Sequence, residues 1–471
     1  MVLPGEVREV RAMIEAPGAP DAIPDPPRQN PPRVTRRRIL ELAWPIVLAN
    51  SAIPMLGLVD TAVIGNAGTV AELGAVGLGA LIFSFVFWGF GFLRMGTTGF
   101  TAQAAGRGDS AEVRATFARA LLLAVGLGAT ILLLQVPIRW ASMQILGATA
   151  EVEDLTRTYF DIRIWAAPAS LGVFVVLGVL VGLGRTRTVL VTQLWMNGVN
   201  IVLDILFAGI LGWGVEGIAL GTAIAEWSTL LLGGTLVVRV LREERADDEA
   251  WWPLGRILDP AAARATLGAN ADIMIRTLFL LLGMGWFTNQ SAIFGDRILA
   301  ANHVLMQLVT LSAYLLDGYA HATEIQVGRS VGAGDRDSFD RAVRMSTQMA
   351  GLSALVLAGA VLLAGPWAVG LLTDLEPVRQ TARSFLPWTA LYIALSFAAF
   401  QLDGIFVGAT GTAAMRNASV LSCLAFIGTA LLLVPALANL GLWIAFVLFV
   451  VYRAVALGAS YPGLRDRVSA P

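Results

Sequence analysis

The chain contains no lysine: all 33 basic residues among its 471 are arginine. With 34 acidic residues the net charge is −1, so charge balance suggests neither a nucleic-acid surface nor a groove for acidic substrates. A single cysteine, Cys423, excludes an intrachain disulfide and a cysteine-rich metal centre, and its apolar surroundings make it a packing residue. Charge itself is scarce. Only 14% of residues are charged and 56% are hydrophobic, with mean hydropathy +0.70, whereas about a quarter of the residues in soluble domains carry charge. This is the composition of an integral membrane protein.

Residues 1–35 hold eight of the 20 prolines and no apolar run, which reads as a disordered cytoplasmic tail. They also lack the charged, apolar and small-residue pattern of a secretory signal. Beyond them lie twelve apolar runs near 39–65, 73–104, 115–138, 154–182, 188–212, 215–240, 262–292, 297–327, 342–372, 379–409, 415–437 and 440–460. Each is long enough to cross about 30 Å of hydrocarbon as a helix, and none alternates as a membrane strand would. The expected fold is therefore all-α, with twelve transmembrane helices.

Arginine sets the orientation. Arg36, Arg37 and Arg38 precede span 1, and the connections after even-numbered spans carry Arg107, Arg185, Arg187, Arg242, Arg245, Arg329 and Arg336. Odd-numbered connections carry far fewer, such as Arg297 and Arg379. The positive-inside rule then places both termini in the cytoplasm, of a cell inner membrane.

The halves repeat. "AAGRGD" at 104–109 returns as "SVGAGD" at 330–335, an offset of 226 that also relates Thr97 to Thr323, Gly178 to Gly404, Gly182 to Gly408 and Thr186 to Thr412. Six spans per half make the repeats parallel. The expected organisation is a lobe over 36–241, a charged linker over 242–260 and a second lobe over 261–462. The Gly turns lack the P-loop pattern and read as helix ends, with Asp109 and Asp335 each capping the next helix.

Ionisable groups inside the spans are few, and each costs about 2.5 to 3.5 kcal/mol on insertion scales unless it meets water or a partner. Asp60 lies in span 1, downstream of Pro45 and Pro54, which weaken that helix and make it a candidate bending element. Asn197, Asn200 and Asp204 fall on one face of span 5. Arg94 in span 2 is expected to pair with an acid of the first half. Asp60 and Asp204 read either as hydrogen-bonded packing groups or as a proton relay or cation site.

The second half has Asp272, Asp317, His321, Glu324 and Asp403. Asp272 and Arg276 stand four residues apart and most simply form an intrahelical ion pair. His321 and Glu324 are too few ligands for a catalytic zinc, and no H-E-x-x-H or G-x-S-x-G motif is present. Neither an enzyme nor a cofactor is expected.

Three stretches carry a family resemblance: "LAWPIVLANSAIPMLGLVDTAVIGNAG" at 42–68, "GFLRMGTTGFTAQAAGRGD" at 91–109 and "LLDGYAHATEIQVGRSVGAGD" at 315–335. With them the chain resembles the multidrug and toxic compound extrusion (MATE) transporters over residues 38–460, in particular the DNA-damage-inducible protein F branch. The resemblance implies two six-helix lobes around a central cleft, alternating access, and export of small hydrophobic or cationic compounds against an inward flow of protons or sodium. It makes Asp60 the proton-sensing carboxylate and Asp204 with Asn200 its cavity partners, while Asp272 and Asp403 lie in the spans that the sodium-coupled branches use. A proton is the expected coupling ion, with sodium the alternative. A membrane-embedded monomer is expected. A lipid-linked-precursor flippase is the rival reading, and it would need several cavity arginines, for which only Arg94, Arg163, Arg276 and Arg453 approach span interiors.

Overall fold

The computed structural model describes residues 34–145, 147–245 and 250–468; the proline-rich stretch read as a tail lies almost wholly outside them. The described residues are nearly all helical. Eleven helices are long and apolar enough to cross a membrane: Val70–Gly106, Ser110–Leu133, Ala150–Gly182, Thr186–Ile210, Gly214–Glu243, Pro260–Ile293, Asp296–Ala333, Arg336–Leu372, Glu376–Gly408, Thr412–Leu437 and Asn439–Arg467. They are spans 2 to 12. Span 1 is two helices, Arg36–Ser51 and Ile53–Ala67, so the expected twelve spans are present with the first one broken.

The break has a local cause. Pro54 enters in the first turn of the second segment, and without an N–H it leaves the carbonyl four residues earlier without its helical donor. Pro45, by contrast, sits inside a helix that continues through it to Ser51. Of the two prolines marked as bending points, the discontinuity lies at Pro54. Span 3 also differs from expectation, because its helix stops at Leu133 and Gln135–Ile145 forms a separate short helix.

The repeat register holds in three dimensions. Spans 2, 3, 4 and 5 begin at Val70, Ser110, Ala150 and Thr186, and spans 8, 9, 10 and 11 begin at the matching repeat positions Asp296, Arg336, Glu376 and Thr412. Asp109 and Asp335 cap spans 3 and 9 by accepting the backbone N–H of Glu112 (3.0 Å) and Ser338 (2.9 Å). Asp109 also receives Arg256 of the linker at 2.6 Å. Burial alone would raise the Asp109 carboxyl, but the Arg256 and Glu112 hydrogen bonds hold it below its ordinary value.

The repeated glycines explain themselves at helix contacts. A side chain at Gly178 would strike the Arg94 carbonyl and one at Gly404 the Ala320 carbonyl, and Gly182 and Gly408 meet the Thr98 and Glu324 carbonyls in the same way. Spans 2 and 4 therefore pack backbone to backbone, as do spans 8 and 10. The second lobe has an aromatic core of Phe287, Phe426, Trp443, Phe446 and Phe449, with Cys423 buried beside it as expected. Leu133, Leu363 and Leu432 stand exposed on the perimeter, where lipid takes the place of a protein neighbour.

Between lobes, the contacts gather toward the arginine-rich end. Gly106 meets the Arg329 backbone, Gly328 meets Ala102 and Gly332 meets the Gln103 backbone. Gln103 donates to the Gly408 carbonyl (3.0 Å) and to Thr410 (3.1 Å), across the seam from span 2. Arg329, the repeat counterpart of Gln103, donates back to the Leu183 carbonyl at 2.6 Å. Each lobe thus reaches the C-terminal end of the other's fourth helix from the same repeat position.

Candidate transport cavity

Span 1 changes company at its break. The Arg36–Ser51 segment packs mainly on span 8 of the second lobe and also on span 5, whereas the main contacts of Ile53–Ala67 are with spans 2, 5 and 6 of its own lobe. Asn197 of span 5 donates to the Ala52 carbonyl at 3.2 Å, in the interruption itself. A broken membrane helix is tolerated where neighbours supply hydrogen bonds at the break, and Asn197 supplies one at Ala52, two residues beyond the carbonyl that Pro54 leaves open.

One turn and more along, the carboxyl groups of Asp60 and Asp204 are direct electrostatic neighbours. Both are buried, at 8% and 0% exposure. Asn200 donates to Thr222 of span 6 (3.1 Å) and lies 3.5 Å from Asp204. Immediately after Asp204 the helix loosens into a wider π-type turn over Ile205–Ile210, a feature that often accompanies functional positions. Oxygens of Asp60, Asn197, Asn200 and Asp204 are buried with no donor. Sequence reasoning grouped Asn197, Asn200 and Asp204 by helical face, and the structure brings Asp60 to the same place.

A neighbouring cluster was missed. Glu226 of span 6 receives Ser170 and Arg163, the latter at 3.4 Å, and Arg163 donates to the Tyr159 hydroxyl at 2.7 Å and lies over the Phe83 ring. The signal was available: Glu226 is an acid near the middle of the apolar run of span 6, the same criterion that singled out Asp60. Arg163 is the cation whose field reaches both Asp60 and Asp204.

The second-lobe acids are arranged otherwise. Asp272 and Arg276 do not pair with each other. Asp272 takes Arg416 (2.6 Å) and Thr412 (3.0 Å) of span 11, while Arg276 binds Asp403 of span 10, which also meets Arg453 at 3.3 Å. In a bundle interior the carboxylate on a neighbouring helix lets each arginine extend, so the interhelical pairs replace the local one. Arg94 also departs from expectation: its partner is Glu324 of the second lobe, at 3.6 Å, because span 2 lies on the seam against span 8. Asp317 faces His321 (3.4 Å) and Asn50 of span 1 (3.5 Å). No group of three or more His, Cys, Asp or Glu side chains suited to a metal occurs among the described residues.

Two repeated six-helix lobes, joined at one end and carrying buried ionisable groups in their interior, define a multi-pass membrane transporter. The MatE family profile matches residues 45–206 and 274–432, and the chain belongs to that family, the multidrug and toxic compound extrusion transporters, and is not an enzyme. It is 38% identical over 423 residues to DNA damage-inducible protein F of Escherichia coli strain K12, covering 90% of this chain and 91% of that protein. It is 30% identical over 396 residues to the probable multidrug resistance protein NorM of Deinococcus radiodurans, covering 80% and 81%. In fold it is similar to a MOP superfamily transporter from Pyrococcus furiosus, with TM-score 0.80 at 21% identity over 92% of this chain and 96% of that one.

Proposed function

We propose that the protein is a proton-coupled antiporter that exports hydrophobic, often cationic compounds across the cell inner membrane, with both termini and the arginine-rich seam on the cytoplasmic side. The observation that carries this reading is that the buried carboxyls of Asp60 and Asp204 are direct neighbours and neither makes an ion pair among the described residues, Arg163 acting on them only through its field. Asp272, Asp403 and Glu324 each touch an arginine instead. Two carboxyl groups hydrogen-bond to each other only with a proton between them; without it they repel. Loss of that proton would push the Ile53–Ala67 segment away from span 5, and the interruption at Ala52 lets the segment move while Arg36–Ser51 stays on span 8. Coupling then requires that proton and substrate each bind the two positions with different affinity.

A sodium ion is the second reading, favoured by the buried oxygens of Asp60, Asn197, Asn200 and Asp204 that lack donors, since small hard cations are held by oxygens. The flippase reading is weakened by the four interior arginines, because Arg94, Arg163, Arg276 and Arg453 all meet acids and leave no free charge for a lipid phosphate. Proteoliposomes loaded with a fluorescent organic cation, and given a pH gradient or a sodium gradient separately, test the proposal. Transport driven by sodium alone at clamped pH, with none driven by the pH gradient, would refute proton coupling.

A further inference from the structure

A cavity of about 610 Å³ opens at the arginine-rich end of the first lobe, lined by Arg38, Glu41, Arg185, Arg187, Glu244 and Arg329 among others. Four of these side chains are cationic and two anionic. Glu244 is taken by Arg185 at 3.2 Å and Glu41 by Arg37 and Arg38, so the excess positive charge is not cancelled within the lining. Arg329 has Arg38, Glu244 and Arg185 as electrostatic neighbours, the two arginines opposing its charge and Glu244 favouring it, and its Nε is buried with no acceptor. The first turn of span 5, Thr186 to Thr188, also lines the cavity, and no side chain caps that helix; Thr188 donates to the Arg185 carbonyl, which leaves the N–H groups of Thr186 and Arg187 and the positive dipole end beside the same space.

The internal repeat shows that this charge is not needed to join the lobes. Gln103 stands at the repeat position of Arg329 and makes the equivalent bond to a carbonyl across the seam without any charge. At the repeat positions of Arg185 and Arg187 the second lobe has Gly411 and Ala413. Membrane orientation needs arginines near this face, but it does not need them to converge on one cavity from the approach to span 1, from span 5 and from span 8.

We infer that this cavity is an anion site for a phosphate group, either the headgroup of an anionic phospholipid or free phosphate. Because Arg329 comes from the second lobe and Arg185 and Arg187 from the first, a bound phosphate ties the two lobes together at this end and favours the arrangement in which the seam is closed. The site is separate from the Asp60–Asp204 pair, so it stands whichever ion drives transport.

The test uses the full chain in detergent with three variants: Arg187→Gln, Arg185→Gln, both at exposed positions, and Arg329→Gln, which restores the side chain that serves in the other lobe. One arm measures retained phosphatidylglycerol against phosphatidylcholine by native mass spectrometry after reconstitution in an equal mixture of the two. The other follows the thermal unfolding midpoint as inorganic phosphate is titrated at constant ionic strength, with chloride as control. Preferential retention of phosphatidylglycerol that weakens about fivefold per arginine removed identifies a lipid headgroup. A saturable rise with phosphate that the variants lose identifies the free anion. Lipid retention without headgroup preference together with no phosphate-specific shift, or effects that all three folded variants preserve, would overturn the inference.

Discussion

Asn197 holds the open point of span 1: its side-chain amide reaches the Ala52 carbonyl at 3.2 Å, between the helix that packs on the second lobe and the helix that carries Asp60. Replacing it with alanine removes this hydrogen bond, at a cost of about 1 kcal/mol. Asn197→Ala should lower the unfolding midpoint by a few degrees and reduce export several-fold. An equal loss of export in Asn197→Gln, which keeps the amide but displaces it, would show that position as well as hydrogen bonding matters; both are read by thermal unfolding and dye efflux.

Asp60→Asn retains size and can donate to Asp204 without a shared proton. Export driven by a pH gradient should fall to background while the protein remains folded and still binds substrate. Unaltered proton-driven efflux by this variant would remove Asp60 from the coupling site. Asp204→Asn should behave in the same way.

Asp403→Ala should do the opposite kind of damage. It strips Arg276 and Arg453 of their shared buried counter-charge, and such losses cost about 3 to 5 kcal/mol. A large fall in thermal stability is expected, greater than for Asp60→Asn, and differential scanning fluorimetry in detergent separates the two.

The reciprocal bonds across the seam can be weakened one at a time. Gln103→Ala removes the donor to both Gly408 and Thr410, and each hydrogen bond of about 1 kcal/mol corresponds to roughly fivefold in the balance between closed and open seams. In a background with Cys423 replaced by alanine, a cysteine introduced at Ala102, which packs on Gly328, should then be alkylated faster. An unchanged rate would show that the glycine contacts alone set closure.

Asp109 gives a prediction in pH. Its carboxyl is held below the ordinary 3.8 in the folded protein, so the stability it adds is fully present above that value and is lost as pH falls through the lowered one. The stability difference between wild type and Asp109→Asn should be constant near neutral pH and shrink below about pH 4, as followed by unfolding midpoints across an acid series.

The spans and their repeat were legible because lipid demands long apolar runs and because paired glycines such as Gly178 and Gly404 answer to one contact, a helix backbone pressed on another. Asp60, Asn200 and Asp204 were legible as costly residues in apolar surroundings. Their partners were not. Which carboxylate Arg276 or Arg94 takes depends on which helix lies alongside; local spacing pointed to Asp272 for the former, and for the latter an unnamed acid of its own half was expected. Pro45 and Pro54 look alike in sequence, yet only the second coincides with a change of packing neighbours, which is a property of the bundle and not of the run.

The seam of small residues also has a mechanical consequence. Gly106, Gly328 and Gly332 bring the lobes into backbone contact at one end of spans that are 37 and 38 residues long, about 55 Å at helical rise. The joint, which also takes in the Arg94–Glu324 pair and the packing of Arg36–Ser51 on span 8, lies toward one end of these arms and would work as a fulcrum. Tilting such an arm by a small angle at the joint moves its far end many times further than its near end. Displacements large enough to admit or release a drug-sized molecule therefore need only a slight rotation there, while the interior of each lobe keeps its packing.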